Sequence, residues 1–297
     1  MNMEIKEGFI PFLEFKTYYR IVNPNGLNTP LLMLHGGPGS THNSFELLDE
    51  LAYISDRPII MYDQLGCGKS IIPNGHEELW NKDTWVNELI NLREKLNLKS
   101  VHLLGHSWGG MLEIIYMCDH LPEGIKSITL SSTLASASLW KEETHKLLNY
   151  LNKEDREVLI QDEEGFDVDK TKLAEALDRY MEHFVFSKPN EFDPECLRRE
   201  RPDSSESYIC AWGKSEFSPC GTLKDYEYLD KLDKIKCPVL IMSGEQDEST
   251  PYQNLQMFDR IKSNKRYVLF QYSRHRTYYE EKEKYISTLK NFLSEFD

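Results

Sequence analysis

The chain has 297 residues, of which 40% are apolar and 11% aromatic, and a formal net charge of −14. That apolar content suffices for a sizeable core and excludes a disordered chain. The negative field opposes nucleic acid and anionic lipid, and it slightly favours cationic ligands.

Met1 to Glu7 carries acids and no apolar run behind a basic start, so it does not read as a signal peptide. Phe9 to Val22 is β-rich and aromatic, broken by Pro11, and predicts an antiparallel hairpin. Asn23-Pro24-Asn25-Gly26 is a turn. Pro30 to Leu34 is a short apolar strand, as expected where both sheet faces are covered. It runs into His35-Gly36-Gly37-Pro38-Gly39, too glycine-rich for helix or strand. Ser44 to Tyr53 predicts a helix and Pro58 to Tyr62 a second buried strand. The loop Asp63 to Ser70 lacks the G-x-x-x-x-G-K-[ST] spacing of a phosphate cradle, which argues against nucleotide binding. Apolar residues recur near the helical period over Asp83 to Leu96.

Val101 to Leu104 is again apolar and meets Gly105-His106-Ser107-Trp108-Gly109-Gly110, with a helix expected from Trp108 to His120. Strand, sharp turn and helix with a serine at the apex is the G-x-S-x-G nucleophile elbow, so Ser107 is the candidate nucleophile. Ile125 to Leu130 completes an alternation that implies parallel pairing with right-handed crossovers. The alternation stops near Thr133. Residues 134–233 are rich in Glu, Lys, Asp and Tyr, with helical patches at Lys141 to Leu151 and Lys172 to Phe184. The alternation resumes as strand Pro238 to Ser243, helix Tyr252 to Ile261, strand Arg266 to Phe270 and helix Glu280 to Phe296. The expected organisation is an α/β core of residues 1–133 and 234–297 with a helical cap, 134–233, inserted into it.

No run approaches the roughly 20 apolar residues of a membrane helix. The six cysteines are scattered without a C-x-x-C pair, which suggests neither zinc nor a disulfide framework and implies a reducing, cytoplasmic setting.

A serine needs a neighbouring base, and the base needs an orienting acid. On this sheet type the chain order is Ser, acid, His. Asp247 follows strand Pro238 to Ser243. His275 follows the next strand and is the only one of nine histidines beyond Asp247. Both lie past strand C-termini, the edge where open α/β sheets place their sites. Glu245 and Glu248 are alternative acids. The reaction needs preorganised N–H donors for an oxyanion. The N–H of Trp108 is one candidate and that of Gly37, in the glycine-rich loop, the other.

These motifs resemble the proline iminopeptidase family of α/β-hydrolases, over nearly the whole chain. His35 to Gly39 is similar to its H-G-G-P-G loop, Tyr62 to Ser70 to its Y-D-Q-x-G-x-G-x-S loop, and Gly105 to Gly110 to its G-[QH]-S-W-G-G elbow. Trp212 to Phe217 resembles a cap segment, G-x-x-E-[FY], whose glutamate holds the substrate's free amino group. The resemblance implies an α/β-hydrolase fold, a cofactor-free and metal-free serine aminopeptidase, and short peptides with a free N-terminal proline as substrates. It assigns Glu216 to the amine, with Glu248 as a second acid. Trp212, Phe217 and Tyr208 would wall an apolar slot, or serve packing. The chain departs from the family beside His275, which the family usually precedes with a small residue and often follows soon with a proline; here Arg274 and Arg276 flank it and are expected to face solvent or pair with acids. An esterase or lactonase with the same triad is the rival reading. A binding protein that kept the fold is a more distant one.

Overall fold

A computed structural model describes residues 3–297. Met1 and Asn2, the start of the segment read above as no signal peptide, lie outside them. Eight strands make one sheet: β1 (Ile5–Phe12), β2 (Phe15–Val22), β3 (Leu31–Leu34), β4 (Ile59–Asp63), β5 (Val101–His106), β6 (Ile125–Ser131), β7 (Val239–Gly244) and β8 (Lys265–Phe270). Their order is β1-β2-β4-β3-β5-β6-β7-β8. β2 pairs antiparallel with β1 and β4, and all other neighbours are parallel. The hairpin begins at Ile5 rather than Phe9. Its first residues are charged and exposed, as edge strands often are, and so carry little strand signal.

β3, β4, β5 and β7 are buried along their whole length. Alternate side chains feed two cores: Leu32, Leu34, Ile60 and Tyr62 enter one, while Leu31, Met33, Ile59 and Met61 enter the other. A strand covered on both faces is mostly apolar on both, hence the near-continuous apolar runs, with buried polar residues such as His102 and Asp63 held by hydrogen bonds.

Helix α1 (Asp49–Ile54) follows a 3-10 segment, His42–Leu48, so the helix expected from Ser44 to Tyr53 is split in two. α2 (Lys82–Lys95) starts at Asn81, whose Oδ1 accepts from the N–H groups of Asp83 and Thr84 at 3.0 and 3.1 Å. α3 (Trp108–Ile115) is shorter than expected and passes into a π turn, Tyr116–His120. Between β6 and β7 the chain forms α4 (Ala137–Leu147), α5 (Lys153–Glu163), α6 (Lys170–Phe184), α7 (Glu195–Arg198) and α8 (Ser205–Ala211). This insertion has its own small core of Leu148, Leu159, Tyr180, Phe184 and Phe217. α5 escaped the periodicity reading because charged residues dominate it. Its signal is the cap, since Asn152 Oδ1 accepts from the Asp155 N–H at 3.0 Å. After β7 come α9 (Pro251–Arg260), α10 (Thr277–Glu280) and α11 (Lys282–Ser294). The helix expected over 280–296 is α11, and the short α10 precedes it.

α3 lies close against the strand ends. A Cβ on Gly105 would stand 2.5 Å from Gly110 Cα, and one on Gly109 would overlap the Leu34 carbonyl. Gly109→Ala is therefore expected to cost about 1–3 kcal/mol or more, read as a lower urea midpoint at unchanged slope.

Candidate active site

Ser107 joins β5 to α3 with φ 54° and ψ −124°. Few non-glycine residues occupy that region, and it lifts the side chain off the sheet edge. Thr133 Oγ1 donates to the Ser107 carbonyl at 2.6 Å, and the Ser107 N–H donates to Ser131 O at 3.0 Å. Both bonds fix the turn to the end of β6.

His275 lies between β8 and α10, and Asp247 between β7 and α9. His275 Nδ1 stands 2.7 Å from Asp247 Oδ1. Asp247 Oδ1 also accepts from the Ser249 N–H at 2.8 Å, and Oδ2 from the Gly244 N–H at 3.4 Å. An acceptor-only carboxylate on Nδ1 assigns the ring proton there and leaves Nε2 free as a base. His275 and Ser107 line one cavity of about 190 Å³. Of the alternative acids, Glu245 is exposed, whereas Glu248 is buried with Oε1 3.8 Å from His275 Nε2.

The glycine-rich loop borders the same cavity. A Cβ on Gly36 would sit 3.1 Å from Ser107 Cβ, a tight contact, so the loop runs close against the serine. Gly37 has φ 116° and lines the cavity. Trp108 is the first residue of α3, where a backbone N–H has no partner within the helix. Its indole is buried and donates to Gln64 Oε1 at 2.7 Å. Gln64 in turn donates its Nε2–H to His35 O and its backbone N–H to His35 Nε2, each at 3.0 Å. His35 must then carry its proton on Nδ1, which donates to Gly36 O at 2.8 Å. Burial pushes the His35 pKa down to about 4, so the ring is neutral. The loop after β4 thus braces the loop after β3 rather than cradling phosphate.

Two carboxylates line the cavity as well, Glu216 from the insertion and Glu248 from the loop after β7. Tyr208 Oη donates to Glu216 Oε2. Trp140 and Trp212 donate their indole N–H groups to the Glu216 carbonyl at 2.9 and 3.2 Å. Glu248 Oε2 has no hydrogen-bond partner among the described residues. Desolvation raises both carboxyl pKa values, and the negative field of Glu216 pushes Glu248 further up.

Trp212 and Phe217, considered above as walls of a slot, do not reach the cavity lining. Trp212 packs edge-on against Trp140 with ring centroids 5.9 Å apart, and Phe217 against Tyr180 at 4.6 Å. Apolar contact behind the Glu216 turn holds them there. Tyr208 does line the cavity, with Phe45, His106 and Tyr278, which pattern did not flag. The His106 ring lies 4.8 Å from that of His275, and burial holds its pKa well down, so a neutral ring packs against the proposed base. Arg274 pairs with Glu280 as expected. Arg276 does not pair: it lines the cavity, with its guanidinium 3.7 Å from the Phe186 ring centroid.

The model of the alpha/beta hydrolase fold matches residues 29–282. A proline iminopeptidase of Clostridioides difficile is 49% identical over 99% of this chain and 100% of its own length. The chain belongs to the proline iminopeptidase family. Another member, from Lactobacillus acidophilus, is 48% identical over 99% of this chain and all of its own. The crystal structure of the family member from Mycobacterium smegmatis superposes with a TM-score of 0.86, at 28% identity and 98% coverage of each chain.

Among the described residues no cluster of three or more His, Cys, Asp or Glu is arranged to hold a metal ion. No helix there is long and apolar enough to cross a membrane.

Because both cavity carboxylates are pushed up, their charge develops only as pH rises. The KM for a free-amine substrate is expected to fall with rising pH, until the substrate's own amine loses its proton. Glu216→Gln removes a charge that holds Glu248 up, so the residual titration should move to lower pH. Initial-rate series that separate KM from kcat across pH measure both effects.

Proposed function

We propose that this enzyme releases the N-terminal proline of short peptides through an aminoacyl-enzyme on Ser107. His275 Nε2 takes the serine proton as Oγ attacks the first peptide carbonyl. Asp247 holds the imidazole in the required tautomer and stabilises the imidazolium that forms. The N–H groups of Gly37 and Trp108 receive the developing oxyanion. His275 then protonates the departing amine, and water hydrolyses the ester by the same route in reverse.

Glu216 and Glu248 bind the substrate's ammonium, which fixes the first carbonyl at a set distance from the serine. Residues 134–233 act as a cap that supplies Glu216 and Tyr208 and excludes folded chains. Six free thiols suit a reducing cytoplasm.

The observation that carries this reading is the presence of two desolvated carboxylates in the cavity that Ser107 and His275 share. Such a pair disfavours a neutral acyl ester or lactone and suits a cation.

The test is a panel of aminoacyl naphthylamides beside short acyl esters. Proline naphthylamide should be cleaved fastest, and a fluorophosphonate should label the wild type but not Ser107→Ala. Rapid ester hydrolysis with no amide turnover would reject the peptidase reading. Glu216→Gln forfeits a charge-assisted bond of about 1.5–3 kcal/mol, which predicts a KM for proline naphthylamide raised roughly 10- to 150-fold. An unspecific ester should be affected far less.

A further inference from the structure

The cavity has charge at both ends. Arg201 and Arg276 line it together with the two carboxylates, and both also line an adjoining outer cavity with Gly37, Ser40 and Ser204. Glu216 and Glu248 border only the inner space, while among the described residues Asp203 is the one carboxylate lining the outer cavity, so the guanidinium groups stand where the two spaces meet.

Neither arginine is neutralised. Arg179, Arg199 and Arg274 each hold a carboxylate, Asp155, Glu46 and Glu280 respectively. Among the described residues Arg201 and Arg276 make no salt bridge. Arg201 is exposed, and its Nη1 donates to Ser40 Oγ at 3.3 Å. Arg276 is half-buried and lies flat on Phe186. Burial works against its charge, as do Arg201 and Arg274, while Tyr278 and Glu280 partly offset this. Arg276, partly buried and without an ion pair, carries a desolvation cost that a bound anion would offset, and exposed Arg201 adds a second cation at the same cavity wall.

The reaction geometry says which anion. The ammonium lies on Glu216 and Glu248 and the first carbonyl at Ser107. The departing residue must then lie beside His275, which protonates its nitrogen. Arg276 is the next residue along the chain. In a dipeptide the departing residue itself bears the terminal carboxylate. In a tripeptide that group lies one residue further out, about 3.3 Å per residue, still within the stretch of wall that Arg276 and Arg201 share. A planar guanidinium matches a carboxylate with two parallel hydrogen bonds.

We propose that Arg276 and Arg201 form a carboxylate subsite that selects peptides of two or three residues with a free C-terminus. The inference rests on the aminopeptidase reading and names the far end of its substrate. Arg276 and Arg201 are specificity residues and take no part in bond making.

The test compares prolyl-alanine with prolyl-alanine amide, as the ratio of their kcat/KM values within each enzyme form. A general loss in a variant cancels in that ratio. The wild type should prefer the free acid by about tenfold or more. Arg276→Gln and Arg201→Gln should each lower the ratio towards one, through KM, and Arg276→Lys should keep part of it. A wild-type ratio near one, or a ratio that neither Gln variant moves, overturns the subsite while leaving the peptidase reading intact. Proline release from neither peptide nor from proline naphthylamide overturns both.

Discussion

The left-handed turn at Ser107 is the constraint from which the rest of the site takes its position. It exists because α3 approaches β3 and β5 more closely than any side chain at Gly105 or Gly109 would allow. That approach brings the first turn of α3 to the glycine-rich loop, with Gly36 against the serine Cβ. The cavity that Gly36, Gly37 and Ser107 line together follows from this contact. The strain at one residue is stored by packing across two strands and a helix.

The loops around the elbow are joined by polar groups rather than apolar ones. Gln64 links the His35 backbone to the Trp108 indole. Asp63 accepts from the backbone and ring of His42 at 2.9 and 2.7 Å, and from the Lys69 N–H at 2.8 Å. Arg199 on the insertion reaches Glu46 on the core at 2.6 Å, and Ser204 Oγ donates to Gly39 O at 2.5 Å. Directional bonds of this kind hold a loop to one geometry, where apolar packing would leave it room to slide.

The sheet was legible because strands covered on both faces are apolar at most positions. The elbow was legible because its glycines serve a steric need at fixed spacing, and Asp247 and His275 because strand ends repeat along the chain. The insertion was much less so. α5 is mostly charged, and the Glu216 turn takes its position from Trp140 and Tyr208, which lie 76 and 8 residues away. No local pattern records contacts across such distances. Trp212 and Phe217 show the same limit: an aromatic beside a functional glutamate reads identically whether it faces a ligand or braces the turn from behind. Arg276 reads as a solvent-facing cation until Phe186, 90 positions earlier, is seen beneath it.

The mutual field of Glu216 and Glu248 has a thermodynamic corollary. Burial disfavours charge on both groups, and the field of Glu216 further favours the protonated form of Glu248. In the proposed amine-binding role, an arriving ammonium would favour their ionisation and pass any proton held there to the medium. Ligand uptake is then also an acid release, and the heat recorded by titration calorimetry would vary with the ionisation enthalpy of the buffer that captures it.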